Sequence, residues 1–164
     1  MPTPSTSAFP QRFANLLDLA RLPWFDVEGG HLTVVDPALT RAVDMHTHLA
    51  LAYLRPMALD LTAAHDDVLH YLPKDAPLDL DVYVNKNFRD DEMARMKRDL
   101  VIGSFTAGGM RETHTVPNLV REMGELHVTQ SVLLPIEMPW PLSDNTTTWT
   151  RAVRDAKAES RLVR

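Results

Sequence analysis

Apolar residues recur at helical spacing at Phe13, Leu16, Leu17 and Ala20, and Pro10 suits a first-turn position, so the pattern predicts a helix over Pro10–Arg21. Two short apolar runs then flank Gly29-Gly30, which predicts a β-hairpin across Trp24–Val35. Asp36-Pro37 breaks the chain ahead of Arg41-Ala42-Val43-Asp44-Met45-His46-Thr47-His48, a short predicted strand. From Leu49 to Thr115 no simple strand and helix alternation emerges, apart from a helix within Phe88–Leu100 that sets Met93, Met96 and Leu100 on one face. Strand-to-helix connections usually take about 2–6 residues, so residues 49–114 are expected to form a lid or an inserted subdomain.

Regular patterning returns at Thr115, a predicted N-cap. Pro117 lies in the first turn, Val116, Leu119, Val120 and Met123 follow at helical spacing, and Gly124 is the expected stop of a helix of about two turns. The apolar run within His127–Ile136 predicts a parallel strand covered on both faces. Beyond the turn-rich Glu137–Asp144, the spacing of Trp149, Ala152, Val153 and Ala156 predicts a last helix, and Leu162-Val163 could open another strand. The order strand, excursion, helix, strand, helix predicts an α/β fold with parallel strands joined by a right-handed crossover.

Composition narrows the chemistry. With 22 acidic and 17 basic residues the formal charge is −5, so no general attraction to nucleic acid or anionic lipid is expected, and small molecules or proteins are the expected partners. The sequence contains no cysteine, which excludes disulfides, thiolate nucleophiles and cysteine-ligated metals; any metal must sit on His, Asp, Glu or water. The start Met1–Ser7 lacks a basic region followed by an apolar core, and the apolar stretch Leu49–Leu54 is far too short to span a bilayer. No membrane association is expected, and the cytoplasm is the expected compartment. A length of 164 residues suits one domain but falls short of a complete (β/α)8 barrel, which takes about 250 residues and rarely fewer than about 200.

The sharpest chemical signal is His46-Thr47-His48 at the end of the predicted strand. Side chains two apart on a strand share a face, so the two imidazoles can converge on one cation at about 2.0–2.1 Å per nitrogen. Ligands of parallel α/β folds gather where strands end and loops begin, which is where this pair lies. The competing reading is a chance pair whose rings pack or bond to backbone.

Val43-Asp44-Met45-His46-Thr47-His48-Leu49 resembles the opening strand of the metal-dependent amidohydrolase superfamily, and Thr115–Gly124 leading into Ser131–Ile136 resembles that family's first barrel helix and second strand. The likeness is greatest to the amidohydrolase-related branch of hydrolases and decarboxylases. It implies the first part of a (β/α)8 TIM barrel, incomplete here, with an N-terminal helix and hairpin and a long inserted loop region. The implied division is an extension over residues 1–40 and a partial barrel over residues 41–164, with residues 49–114 as lid or insertion.

The resemblance also implies His46 and His48 as ligands of a divalent metal, zinc first, with manganese or iron as alternatives. It implies a metal-activated water attacking a C–N or C–O bond of a small molecule, or a related decarboxylation. Family members complete the site with a Lys or Glu, two more His and an Asp from later strands, and nothing after Ile136 is expected to supply those, so the chain alone is expected to be inactive. His114, just before the second helix, and Glu137, just past the second strand, are candidate substrate-binding residues at the strand-end side. The general base is left unassigned.

A reading from another class stays open: a non-catalytic α/β fragment or interaction module that needs a partner, or self-association through exposed strand edges, to complete its fold. His65-Asp66-Asp67-Val68-Leu69-His70 would set Asp66 beside His70 on a helix, most simply as a solvated face. Gly108-Gly109 lacks a phosphate-loop context and reads as a turn, and the Met93/Met96 pair reads as core packing.

Overall fold

The computed structural model describes residues 9–49, 60–70, 73–82, 88–103, 110–134 and Arg154. Glu137, Gly108-Gly109, the helix expected around Trp149 and the strand expected at Leu162-Val163 lie outside them. The described chain is mixed α/β, built from three two-stranded sheets and a few helices. No helix among the described residues is long and apolar enough to cross a membrane.

The N-terminal helix expected over Pro10–Arg21 is replaced by a two-residue strand and a short 3-10 helix. Strand β1 (Arg12–Phe13) pairs antiparallel with β5 (Leu78–Asp79), and Leu80 N–H donates to the Gln11 carbonyl at 2.9 Å. That pairing claims backbone groups a helix would need. Asn15 then caps the 3-10 helix Leu16–Arg21: its side-chain oxygen accepts from Asp18 N–H, while the Asp18 carboxylate accepts from Ala14 N–H, each at 3.0 Å. The apolar periodicity survives in the packing, since Phe13, Leu19, Leu22 and Leu78 form one buried cluster flanked by Leu16, Phe25, Leu32 and Leu80.

The hairpin forms as expected. Strand β2 (Phe25–Glu28) pairs antiparallel with β3 (His31–Val34) in unbroken register from Phe25↔Val34 to Glu28↔His31. Both turn glycines have positive φ, 56° and 83°, the conformation a tight two-residue turn requires and side chains resist.

Strand β4 (Ala42–Thr47) and β6 (Val128–Leu133) pair in parallel, and the helix between them packs on β6 and β3. Helix α1 (Asp90–Gly103) lies within the predicted excursion, with Met93 and Met96 half-buried; a single turn, α2 (Met110–Thr113), precedes α3 (Val116–Glu125). Helix α3 follows Thr115, which takes the N-cap position but donates its hydroxyl to the Ala63 carbonyl at 2.7 Å instead of accepting from a helix amide, and the helix buries Val116, Asn118 and Met123. It runs through Gly124 instead of stopping there; His127, at φ 53°, takes the left-handed conformation that ends the helix.

Strand β6 is covered in its second half: Ser131 and Leu133 are buried and Val132 half-buried, while Thr129 and Gln130 are exposed, and on β4 Val43 and Met45 are exposed as well. Packing of α3 against β6 accounts for the burial of Ser131 and Leu133.

The segment 60–70 is pinned to α3 by side chains. His65 N–H donates to Asn118 Oδ1 and Leu69 N–H to Thr113 Oγ1, each at 3.0 Å, and Leu61 and Val68 are buried. These bonds take amides that a helix would have returned to its own carbonyls, so the helix that was to set Asp66 beside His70 does not form.

Candidate functional site

Strand β4 carries an irregularity just before its end. Its register runs Asp44↔Ser131 and then Thr47↔Leu133, so three steps on β4 match two on β6, and one extra residue is accommodated as a bulge. In a regular strand His46 would follow Asp44 on the buried face and Thr47 would follow Met45 outward. The bulge inverts this: Thr47 is buried beside Ser131, and His46 is exposed.

The result brings the two histidines together. His46 Nε2 and His48 Nε2 lie 2.9 Å apart, with ring centroids at 4.8 Å and planes nearly perpendicular at 84°. His48 Nδ1 sits 2.8 Å from the carbonyl oxygen of Leu134, the residue that follows β6, and Leu134 N–H in turn donates to the Thr47 carbonyl at 2.8 Å. A carbonyl only accepts, so these partners assign the proton of His48 to Nδ1 and leave a lone pair on Nε2, toward which His46 Nε2–H donates.

Two imidazole nitrogens each about 2.05 Å from one ion are about 2.9 Å apart at a right angle and about 3.4 Å apart at a tetrahedral angle. The observed 2.9 Å equals the right-angle spacing and falls a few tenths of an ångström short of the tetrahedral one. A backbone carbonyl on the far nitrogen is also the outer partner that metal-bound histidines commonly use. Among the described residues no group of three or more His, Cys, Asp or Glu is arranged to hold a metal. What they bring together is one pair of imidazoles.

His114 is half-buried, and its ring meets His70 edge-on, centroids 5.5 Å apart. His70 Nε2–H donates to the Glu122 carboxylate at 2.8 Å. This second cluster joins residues 52 positions apart, and no local spacing signals it. The other substrate-binding candidate, Glu137, lies outside the described residues. Two open grooves, of about 630 and 520 Å³, share Gly124 and His127 and lie where β6 begins, at the opposite end of the strand from Leu134 and the histidine pair.

No family model, no curated protein and no solved structure matches the chain.

Proposed function

We propose that His46 and His48 are two ligands of one divalent transition metal, zinc first with manganese or iron as alternatives. On this reading the β4–α3–β6 unit is the opening of a (β/α)8 metal-dependent hydrolase of the amidohydrolase type. The reaction is hydrolysis of a C–N or C–O bond in a small molecule, or a related decarboxylation. One observation carries the reading: the two Nε2 atoms face each other at 2.9 Å at the C-terminal end of a parallel strand, with His48 Nδ1 already committed to a carbonyl.

When bound, the metal would polarise the scissile carbonyl and bring a water within reach of ionisation near neutral pH. The residues of the chain act by orientation. Leu134 O keeps His48 in one tautomer and one ring plane, so its Nε2 lone pair needs no reorganisation on binding. To present a lone pair at the same point, His46 must shift its Nε2 proton to Nδ1. Catalytic zinc sites usually take three protein ligands, and the described residues bring two together, so turnover requires at least one ligand besides His46 and His48.

Exposed Val43 and Met45, at 48% and 67%, favour a second reading, a non-catalytic module whose open sheet face a partner covers. Calorimetric titration with zinc separates the two. One equivalent bound, with affinity reduced at least about 10-fold in both His46→Ala and His48→Ala, supports the metal site. Equal affinity in wild type and variants removes the pair from it.

A further inference from the structure

We propose that Asp44 is the positioning residue of the histidine pair: its carboxylate, backed by Thr47 and Ser131, locks the bulge that turns His46 and His48 toward one point. The inference rests on the reading of the pair as metal ligands and adds a residue that neither touches the metal nor is predicted by the His-x-His spacing.

The argument begins with the extra residue. A bulge leaves a backbone amide without its ladder partner, and an unpaired amide lets the strand slip back to regular register. Here His46 N–H donates to Asp44 Oδ1 at 2.9 Å, a turn of two residues closed by the side chain. The other carboxylate oxygen, Oδ2, accepts from Thr47 Oγ1–H at 2.7 Å. Because the Thr47 proton is committed to Asp44, the Thr47 oxygen accepts from Ser131, a residue with no exposed surface on the neighbouring strand.

The chain of donors thus runs from Ser131 through Thr47 to Asp44, with every hydroxyl proton used once. It ties β6 to the two residues that bracket the bulge.

The consequence for the pair is a matter of parity. Removing the extra residue's anchor would let Thr47 move to the open face and carry His46 and His48 toward the side now filled by Thr47, Ser131 and Leu133. A carboxylate suits the task because it is acceptor-only and takes both donors at once. An amide at the same position keeps an oxygen for His46 N–H, and its NH2 can donate to Thr47, whose hydroxyl then turns to Ser131. Asp44→Asn therefore preserves the lock with its relay reversed, whereas Asp44→Ala removes it.

The test uses the full chain, 15N-labelled, with amide exchange at His46, the nitrogen–nitrogen coupling across the His46–His48 hydrogen bond, and Co2+ affinity followed by its visible absorption. Asp44→Ala is expected to speed His46 amide exchange at least about 10-fold, abolish the coupling and weaken Co2+ binding about 10–100-fold. Asp44→Asn should restore all three to within about 3-fold, because the amide oxygen still accepts. Unchanged exchange and affinity in Asp44→Ala overturns the proposal, and so does an Asn variant as impaired as Ala, since charge rather than position would then be at work.

If the wild-type chain takes up no Co2+, the metal reading fails, while exchange and coupling still decide the lock. If Asp44→Ala does not fold, as judged by the backbone shifts of β2 and β3, Ser131→Ala takes its place. It should raise His46 exchange and weaken Co2+ binding about 2–5-fold; no change in either overturns the proposal.

Discussion

Two pairs of imidazoles in this protein share nearly the same ring geometry and differ in what their nitrogens are given to do. His46 and His48 meet edge-on with centroids at 4.8 Å; His70 and His114 meet edge-on at 5.5 Å. In the first pair the Leu134 carbonyl holds the far nitrogen of His48, and the near nitrogens face each other. In the second, His70 already donates from Nε2 to the Glu122 carboxylate. The mounts differ too: a bulged strand end pinned by a buried hydroxyl relay against an irregular segment tied to a helix. Ring proximity is common to both pairs, and on the proposed reading the partner of the other nitrogen is what distinguishes the ligand pair.

The contrast breaks most sharply under substitution of the rings. His48→Ala should lower zinc affinity about 100-fold or more, whereas His70→Ala should leave it within about 2-fold, both read by competition with a chromophoric chelator. Equal losses in the two variants would erase the distinction drawn here. Thr47→Val comes next. It leaves the buried Ser131 hydroxyl without its acceptor and Asp44 Oδ2 without its donor, at an expected cost of about 1–3 kcal/mol in urea unfolding.

The corresponding break in the second cluster is smaller. His70 and Glu122 keep 42% and 26% of their side-chain surface in solvent, so Glu122→Gln should cost roughly 0.2–1 kcal/mol in the same experiment. A larger loss there than in Thr47→Val would reverse the ranking of the two mounts.

The smallest effect is electrostatic and lies outside both clusters. The hydrogen bond from Lys74, at 2.6 Å, and its charge hold the Asp67 carboxyl below its ordinary value of 3.8. A lowered folded-state value means stabilisation present above 3.8 and lost as pH falls through the folded value. Asp18 behaves alike, held down by the Ala14 amide and Arg21. The unfolding midpoints of wild type and Lys74→Met should therefore converge between about pH 5 and about pH 2.5. A constant difference across that range would detach Lys74 from Asp67.

Elements whose cause is local were legible in the sequence. Gly29-Gly30 specifies the hairpin, Pro117 marks the first turn of α3, and the apolar runs specify β4 and β6. What failed was decided by residues far away. The helix expected over Pro10–Arg21 yields to pairing with Leu78–Asp79, and the segment in which a helix would have set Asp66 beside His70 is tied instead to Thr113 and Asn118. The end of α3 moved because His127 accepts the left-handed conformation that Gly124 was expected to provide.

In the site, the convergence of His46 and His48 was readable from their spacing, yet the route to it was not. A bulge has no period, and nothing in Asp44-Met45-His46-Thr47 marks the serine 84 residues on from Thr47 that completes its support.

X-ray absorption at the zinc edge, on the full chain loaded with one equivalent of zinc, tests the shared-metal claim most directly. The account predicts two imidazole ligands at about 2.0–2.1 Å, with one lost in His46→Ala and one lost in His48→Ala. A first shell of oxygen alone, or an imidazole count unmoved by either substitution, would contradict it.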